Sequence, residues 1–309
     1  MHKIHAPSMN PVLSVLLWIA VKSAGLVATL LPRSLELRLG PPLGRMLLWV
    51  DPKRRRIAYE NMRRCLPELG EEGWRRLLRR NYEHYGILAL EILHLFSPIP
   101  GHYRRYVERA CALEGFDNFR RAHNKGKGTL FVSAHLANWE LAVSQGAMHG
   151  MPFMMVTRHL KPAWLHRAIE RARTSTGVRC AYLPNTLPAI LRALRRGDSV
   201  GFVMDQYAPP PTGISVPFFG IPVHTLAAVA PLAQRYGAAI LPVYQVRDAE
   251  GIVRVRIEPE LEIAPGEDAV EITQRLAGKV EGWIRAEPSQ WLWVHRRFKN
   301  VSWSTEVVR

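Results

Sequence analysis

The sequence predicts an α/β protein: a mixed, largely parallel sheet covered by helices on both faces, preceded by an N-terminal membrane helix and a helical basic region. Three observations carry that expectation. Short apolar runs without alternation recur at 128–134, 153–157, 178–182, 199–204 and 239–246, as strands buried on both faces require. Amphipathic stretches lie between them near 138–149, 162–176, 186–196 and 225–236, with a longer one near 268–286, the alternation that builds a parallel sheet. Residues 33–106 read as helix almost throughout. The expected organisation is therefore a membrane-anchor helix at 1–32 and a single domain at 33–309, divided into the helical region 33–106 and an α/β core at 107–309.

The anchor is expected from "PVLSVLLWIAVKSAGLVATLL" at 11–31, which has one charge, Lys22, and about the length of a bilayer span. It is long for a signal peptide, and no small-x-small cleavage site precedes Pro32. Arg33, Arg38, Arg45 and "KRRR" at 53–56 follow it, whereas only Lys3 lies upstream. That asymmetry places the body on the cytoplasmic side. Lys22 also allows a helix lying in the interface with its amine reaching outward.

Asp51-Pro52 is a helix start, with Asp as cap and Pro in the first turn. The helix over 74–96 lines up Trp74, Leu77, Leu78, Tyr82, Tyr85 and Leu88 on one stripe. Its other face is arginine, a solvated surface or a platform for anionic headgroups. Segment 252–257, "IVRVRI", alternates as an edge or antiparallel strand does. Residues 207–224 are rich in Pro and Gly and read as a long working loop.

With 309 residues and 48% hydrophobic content, the chain can close a sizeable core, which excludes a mainly disordered protein. Forty-two basic against 26 acidic residues give +16, a charge that attracts nucleic acid, anionic lipid, phosphorylated substrates or an acidic carrier protein. No nucleic-acid reading motif accompanies it, and such a module leaves the apolar N-terminus unexplained. Cys65, Cys111 and Cys180 form no CxxC pair, so neither zinc nor a disulfide framework is expected, and a reducing, cytoplasm-facing environment fits.

The chemistry concentrates in "GTLFVSAHLANWELAV" at 128–143. A buried strand ends and delivers His135, where ligands of open α/β sheets sit. Asn138 is a candidate N-cap, which puts Glu140 in the first helical turn, where a carboxylate complements the macrodipole. The short loop is also expected to bring Glu140 back to the imidazole, fixing its tautomer and leaving the other nitrogen as a base. With no GxSxG elbow and no nearby cysteine, such a pair activates a substrate hydroxyl. The spacing is not HExxH, and no metal is expected.

His-x4-Glu at a strand-to-helix junction resembles the signature of glycerolipid and lipid A acyltransferases, and the wider chain resembles the bacterial late (secondary) lipid A biosynthesis acyltransferases. Four ordered blocks carry the likeness: "VSAHLANWELA", "VTRHLKPAWLHRAIERAR" at 156–173, "GDSVGFVMDQYAPPPTGISVPFFGIPVHT" at 197–225 and "EPSQWLWVHRRFK" at 287–299. The resemblance implies a glycerolipid-acyltransferase-like fold and transfer of a fatty acyl chain from acyl-carrier protein to a hydroxyl of a lipid A precursor, at the cytoplasmic face of a bacterial inner membrane. It implies no cofactor and no covalent acyl-enzyme. His135 and Glu140 are then the catalytic candidates, with Arg158, Asp205 and Asn138 as substrate-binding candidates. Arg158 would meet a phosphate or phosphopantetheine group, while Asp205 would shape the acceptor pocket or cap a turn. Trp139, Phe218 and Phe219 are candidates to line an acyl channel; Trp291 and Trp293 read as a strand or an interfacial belt, with Arg296 and Arg297 available to phosphates. The alternatives are the same chemistry on a glycerophospholipid, ornithine-type or glycosylated acceptor, and a non-catalytic membrane scaffold.

Overall fold

The computed structural model describes residues 10–301; Lys3, used above for orientation, lies outside them. Five helices come first: α1 Pro11–Leu30, α2 Arg33–Val50, α3 Pro52–Cys65, α4 Gly70–Leu93 and α5 His102–Ala110. The core then runs β1 Cys111–Glu114, α6 Phe116–His123, β2 Thr129–Ser133, α7 Trp139–Met148, β3 Phe153–Arg158, α8 Ala163–Ser175, β4 Arg179–Leu183, α9 Leu187–Arg195 and β5 Ser199–Val203. It closes with β6 Gly213–Phe218, β7 Ile221–Leu226, α10 Val229–Tyr236, β8 Ala239–Arg247, β9 Val253–Ile257 and α11 Ala269–Ala286.

Seven strands form one sheet in the order β1-β9-β8-β2-β5-β3-β4. The five from β8 to β4 are parallel, β9 runs antiparallel to β8, and β1 follows β9 in parallel. The alternating 252–257 segment is thus the antiparallel strand the pattern suggested. Side-chain alternation divides the core into two layers. Phe131 of β2 faces α5, α6, α7 and α8, whereas Leu130 and Val132 face α9, α10 and α11. Both faces are covered, as the unalternating strands require.

Three features depart from the sequence reading. The 207–224 stretch is not an open loop: β6 and β7 pair across it as an antiparallel hairpin. Strand β1 and helix α6 were too short to register as periodic. Trp291 and Trp293 form no interfacial belt; both are fully buried with Phe218 and Phe298, beneath α3, α4 and α11.

Helices α2 and α4 cross closely because Gly40 and Gly44 meet Tyr82, Gly86 and Ile87 where a Cβ would collide with backbone. A buried ionic cluster joins this helical layer to the core. Glu91 of α4 accepts from Arg33 at 2.6 Å, from both terminal nitrogens of Arg247 at 2.7 and 2.8 Å, and from Asn138 at 3.0 Å. Burial opposes the Glu91 charge, and the two guanidiniums overcome it, holding the carboxyl below its ordinary pKa.

Candidate active site

His135 and Asp205 meet because of strand register. β2 and β5 are parallel neighbours with Ser133 opposite Val203. His135 lies two residues beyond one strand and Asp205 two beyond the other, so both arrive at the same height above the sheet. Asp205 Oδ1 is 2.8 Å from His135 Nδ1, while Oδ2 accepts the His135 backbone N–H at 2.7 Å and the Trp291 indole N–H at 2.8 Å. Glu140, expected to orient the ring, does not bond it. Its carboxylate takes a forked pair of bonds from Arg173 of α8, at 2.9 and 2.6 Å. The reason is geometric: Glu140 stands in the first turn of α7 facing α8, and an arginine fork satisfies both its oxygens.

The electrostatics follow from this pairing. Burial by itself would lower the His135 pKa, but the charge and hydrogen bond of Asp205, with a smaller contribution from Glu140, raise it above the ordinary imidazole value. Burial would raise Asp205; the His135 charge, the two His135 hydrogen bonds and Trp291 instead hold it well below the usual carboxylate range. His295 lies with its ring nearly parallel to that of His135, centroids 6.1 Å apart. Its pKa is lowered by burial and, against the pull of Asp205, by the charges of His135, Arg54 and Arg158.

The turn carrying His135 is pinned from two sides. Gln245 of β8 donates to the carbonyls of Ala134 and Leu136 at 2.8 and 3.0 Å, and accepts from Ser133 at 3.1 Å. The C-terminal segment supplies Leu292 N–H to the His135 carbonyl and the Gln290 carbonyl to Ala137 N–H, both at 3.1 Å. Ala137 is held at φ 42°, a left-handed conformation that a non-glycine residue adopts only when its surroundings impose it.

Beneath α7, a cavity of about 160 Å³ opens beside His135. Its wall is mainly apolar, with Phe131, Trp139, Val143, Met155 and Val243 among its side chains, interrupted by the Glu140–Arg173 pair. Gly201 of β5 belongs to this wall, where a Cβ would run into the Phe153 ring.

Of the candidates, Trp139 lines the cavity, whereas Phe218 and Phe219 pack against Trp291 in the core. Asn138 caps α7 through bonds to the N–H groups of Glu140 and Leu141 and is fully buried, with its amide on Glu91. It therefore shapes the site from behind and offers no group to a substrate. Arg158 is exposed at the end of β3, close enough for its charge to act on His295. Arg297 does not face phosphates; it is buried and bonds the carbonyls of Gln206 and His224 and the hydroxyl of Thr225. Gln245, Arg173 and His295 were missed by sequence reading. For Arg173 and Gln245 the only signal was a polar residue within an otherwise apolar stripe, which does not say what it meets.

A histidine–carboxylate pair beside an apolar cavity, at the strand ends of this α/β fold, fits an enzyme that handles a fatty chain. The chain belongs to the bacterial lipid A biosynthesis acyltransferase family, whose model matches residues 5–300. It is 28% identical over 291 residues to the lipid A biosynthesis lauroyltransferase of Escherichia coli, covering 92% of this chain and 91% of that one. It is 28% identical over 265 residues to the palmitoleoyltransferase of the same organism, covering 84% of each. A phosphatidylinositol mannoside acyltransferase of Mycolicibacterium smegmatis is 31% identical over 208 residues, 61% of this chain and 67% of that one.

Proposed function

We propose that this acyltransferase is membrane-associated and moves a fatty acyl chain from acyl-carrier protein to a hydroxyl of a lipid A precursor at the cytoplasmic face of the inner membrane. The observation that carries the mechanism is the His135–Asp205 pair at an apolar cavity. With its Nδ1–H on Asp205, the ring carries its lone pair on Nε2, where the Gln206 amide nitrogen stands 3.3 Å away; once the acceptor hydroxyl takes that place, Nε2 acts as the base. Nε2 takes the proton of the acceptor hydroxyl, and the oxygen attacks the thioester carbonyl. The C–O bond forms, the C–S bond breaks, and the imidazolium returns its proton to the departing thiolate. General-base help of this kind is worth about 10² to 10⁴ in rate. The acyl chain occupies the cavity.

Direct transfer is favoured over a covalent acyl-enzyme because no cysteine lines the cavity and the two hydroxyls that do, Ser133 and Thr157, are not bonded to His135, Ser133 donating to Gln245 instead. The proposed steps need no metal or cofactor. Asp205 orients His135. Glu140 acts with Arg173 as a charged wall whose field supports the imidazolium, rather than as the partner of the ring. Arg158, without a hydrogen-bonding partner among the described residues, is the cation for a phosphate of the acceptor or of the carrier's prosthetic arm. The +16 charge suits both anionic co-substrates.

The decisive experiment compares lipid extracts of a deletion strain with its parent by mass spectrometry, complemented with the parent chain or His135→Ala. Loss of one secondary acyl chain from lipid A, restored only by the parent chain, is expected. The mannoside acyltransferase relative favours a glycosylated phospholipid as the second reading, and an altered phospholipid profile with intact lipid A would select it.

A further inference from the structure

Helix α1 is amphipathic in the wrong sense for a protein in water. The residues it turns to the body are mostly small or polar: Ser14, Val21, Lys22, Gly25, Ala28 and Thr29, on one stripe at helical spacing. Those it turns outward are large and apolar, with Val12, Leu13, Leu16, Ile19, Val27 and Leu30 all exposed. Water makes that inversion unfavourable, and an apolar layer such as lipid relieves it.

By length and hydropathy α1 would serve as a transmembrane span. Its attachments say otherwise. Ser14 accepts from the Trp164 indole at 3.1 Å, Lys22 donates to the Phe96 carbonyl at 3.3 Å, and Thr29 donates to Ser97 at 2.7 Å. Gly25 lies so close to the Phe96 backbone that a Cβ would not fit. From Ser14 to Thr29 is about 22 Å of helix, bonded at both ends and in the middle to the same globular body. A helix crossing the roughly 30 Å apolar layer would drag that body in with it. Lys22 stands near the middle of α1, and Arg171 of α8 is near enough for its charge to act on it. A spanning helix would hold both cations near the bilayer midplane, where charge is least tolerated.

A second stripe continues the surface. On α2, Leu35, Leu39, Met46, Trp49 and Val50 are exposed, Trp49 by 77%, and they share one helical face. Arg38, Lys53 and Arg54 flank it, as cations beside anionic headgroups do.

We propose that α1 does not cross the membrane but lies in the headgroup–acyl boundary of one leaflet, with the outer stripe of α2 in the same plane. The inference rests on the membrane association proposed above and specifies its geometry. The protein is monotopic, and residue 10 and the catalytic body share one side of the bilayer. The acceptor then reaches the cavity by lateral movement in that leaflet.

The test adds one exposed thiol at a time, Asn10→Cys or, on the exposed first turn of α6, Asp117→Cys, to the full chain carrying Cys180→Ser, in which Cys65 and Cys111 are buried and whose own labelling is the background. Inverted membrane vesicles from expressing cells are treated with a membrane-impermeant maleimide before and after detergent. Equal labelling of both positions in intact vesicles is expected. Labelling of one position only after detergent would place them on opposite sides and overturn the proposal. Protein that fails to sediment with vesicles would remove membrane association itself, a result separate from acyl transfer measured in detergent. For α2, Met46→Ser with Trp49→Ser should weaken partition into phosphatidylethanolamine–phosphatidylglycerol vesicles at least tenfold; unchanged partition would strike α2 from the surface.

Discussion

Asp205→Asn separates the two candidate partners of His135. The side chain keeps its size, but its charge is gone. The Asp205 oxygen that now accepts the backbone N–H of His135 and the Trp291 N–H, at 2.7 and 2.8 Å, must remain an oxygen in the variant. The amide NH2 is then turned to Nδ1. That donor selects the tautomer with the lone pair on Nδ1, which leaves Nε2 protonated and unable to act as the base. Loss of the charge adds to this: a unit charge about 4 Å from the forming imidazolium is worth about 4 kcal/mol at the effective dielectric of a protein site. Each ~1.4 kcal/mol is tenfold in rate, so the lost charge alone lowers kcat about 10³-fold. With the wrong tautomer the loss approaches 10⁴, the size such a change has in serine protease triads. The assay follows labelled acyl transfer from acyl-carrier protein to detergent-dispersed acceptor, with thermal unfolding measured alongside. A variant that folds and keeps kcat within tenfold of the parent would refute the pairing, and Glu140 would recover the role its spacing suggested.

The pH profile carries the same sign. The neutral imidazole is the active form and Asp205 raises its pKa in the free protein, so the acidic limb of kcat/KM should lie above the ordinary value of about 6.5; in Asp205→Asn, where burial acts without the opposing charge, the limb should move to lower pH. Glu140→Gln strands the buried Arg173 guanidinium and should cost roughly 3–5 kcal/mol in chemical denaturation, while moving the pH limb less than Asp205→Asn does. Gln245→Leu leaves two buried carbonyls beside His135 without their donor, so stability should fall by about 1–3 kcal/mol and kcat should fall more than KM changes. Gly201→Val intrudes where the Phe153 ring already leaves no room for a Cβ, and the chain-length profile of accepted acyl thioesters should shift toward shorter donors.

The sequence by itself determined the parallel strands at the centre of the sheet, though not β1 or the β6–β7 hairpin, because a strand buried on both faces must be apolar throughout, and "TLFVS" and "SVGFV" announce themselves without reference to anything distant. It determined that His135 stands at a strand end and that Asn138 caps the helix after it, since both follow from local backbone geometry. It also marked residues 11–31 as a long apolar helix, which α1 is. What only the tertiary structure decided is which carboxylate meets the imidazole. Glu140 is five residues away and Asp205 seventy, yet the adjacency and register of β2 and β5 bring the distant residue to the ring, while α8 takes the near one. Register between strands separated by three helices and two other strands is set by the whole core, as is the side of α1 that meets protein, and no local spacing encodes either.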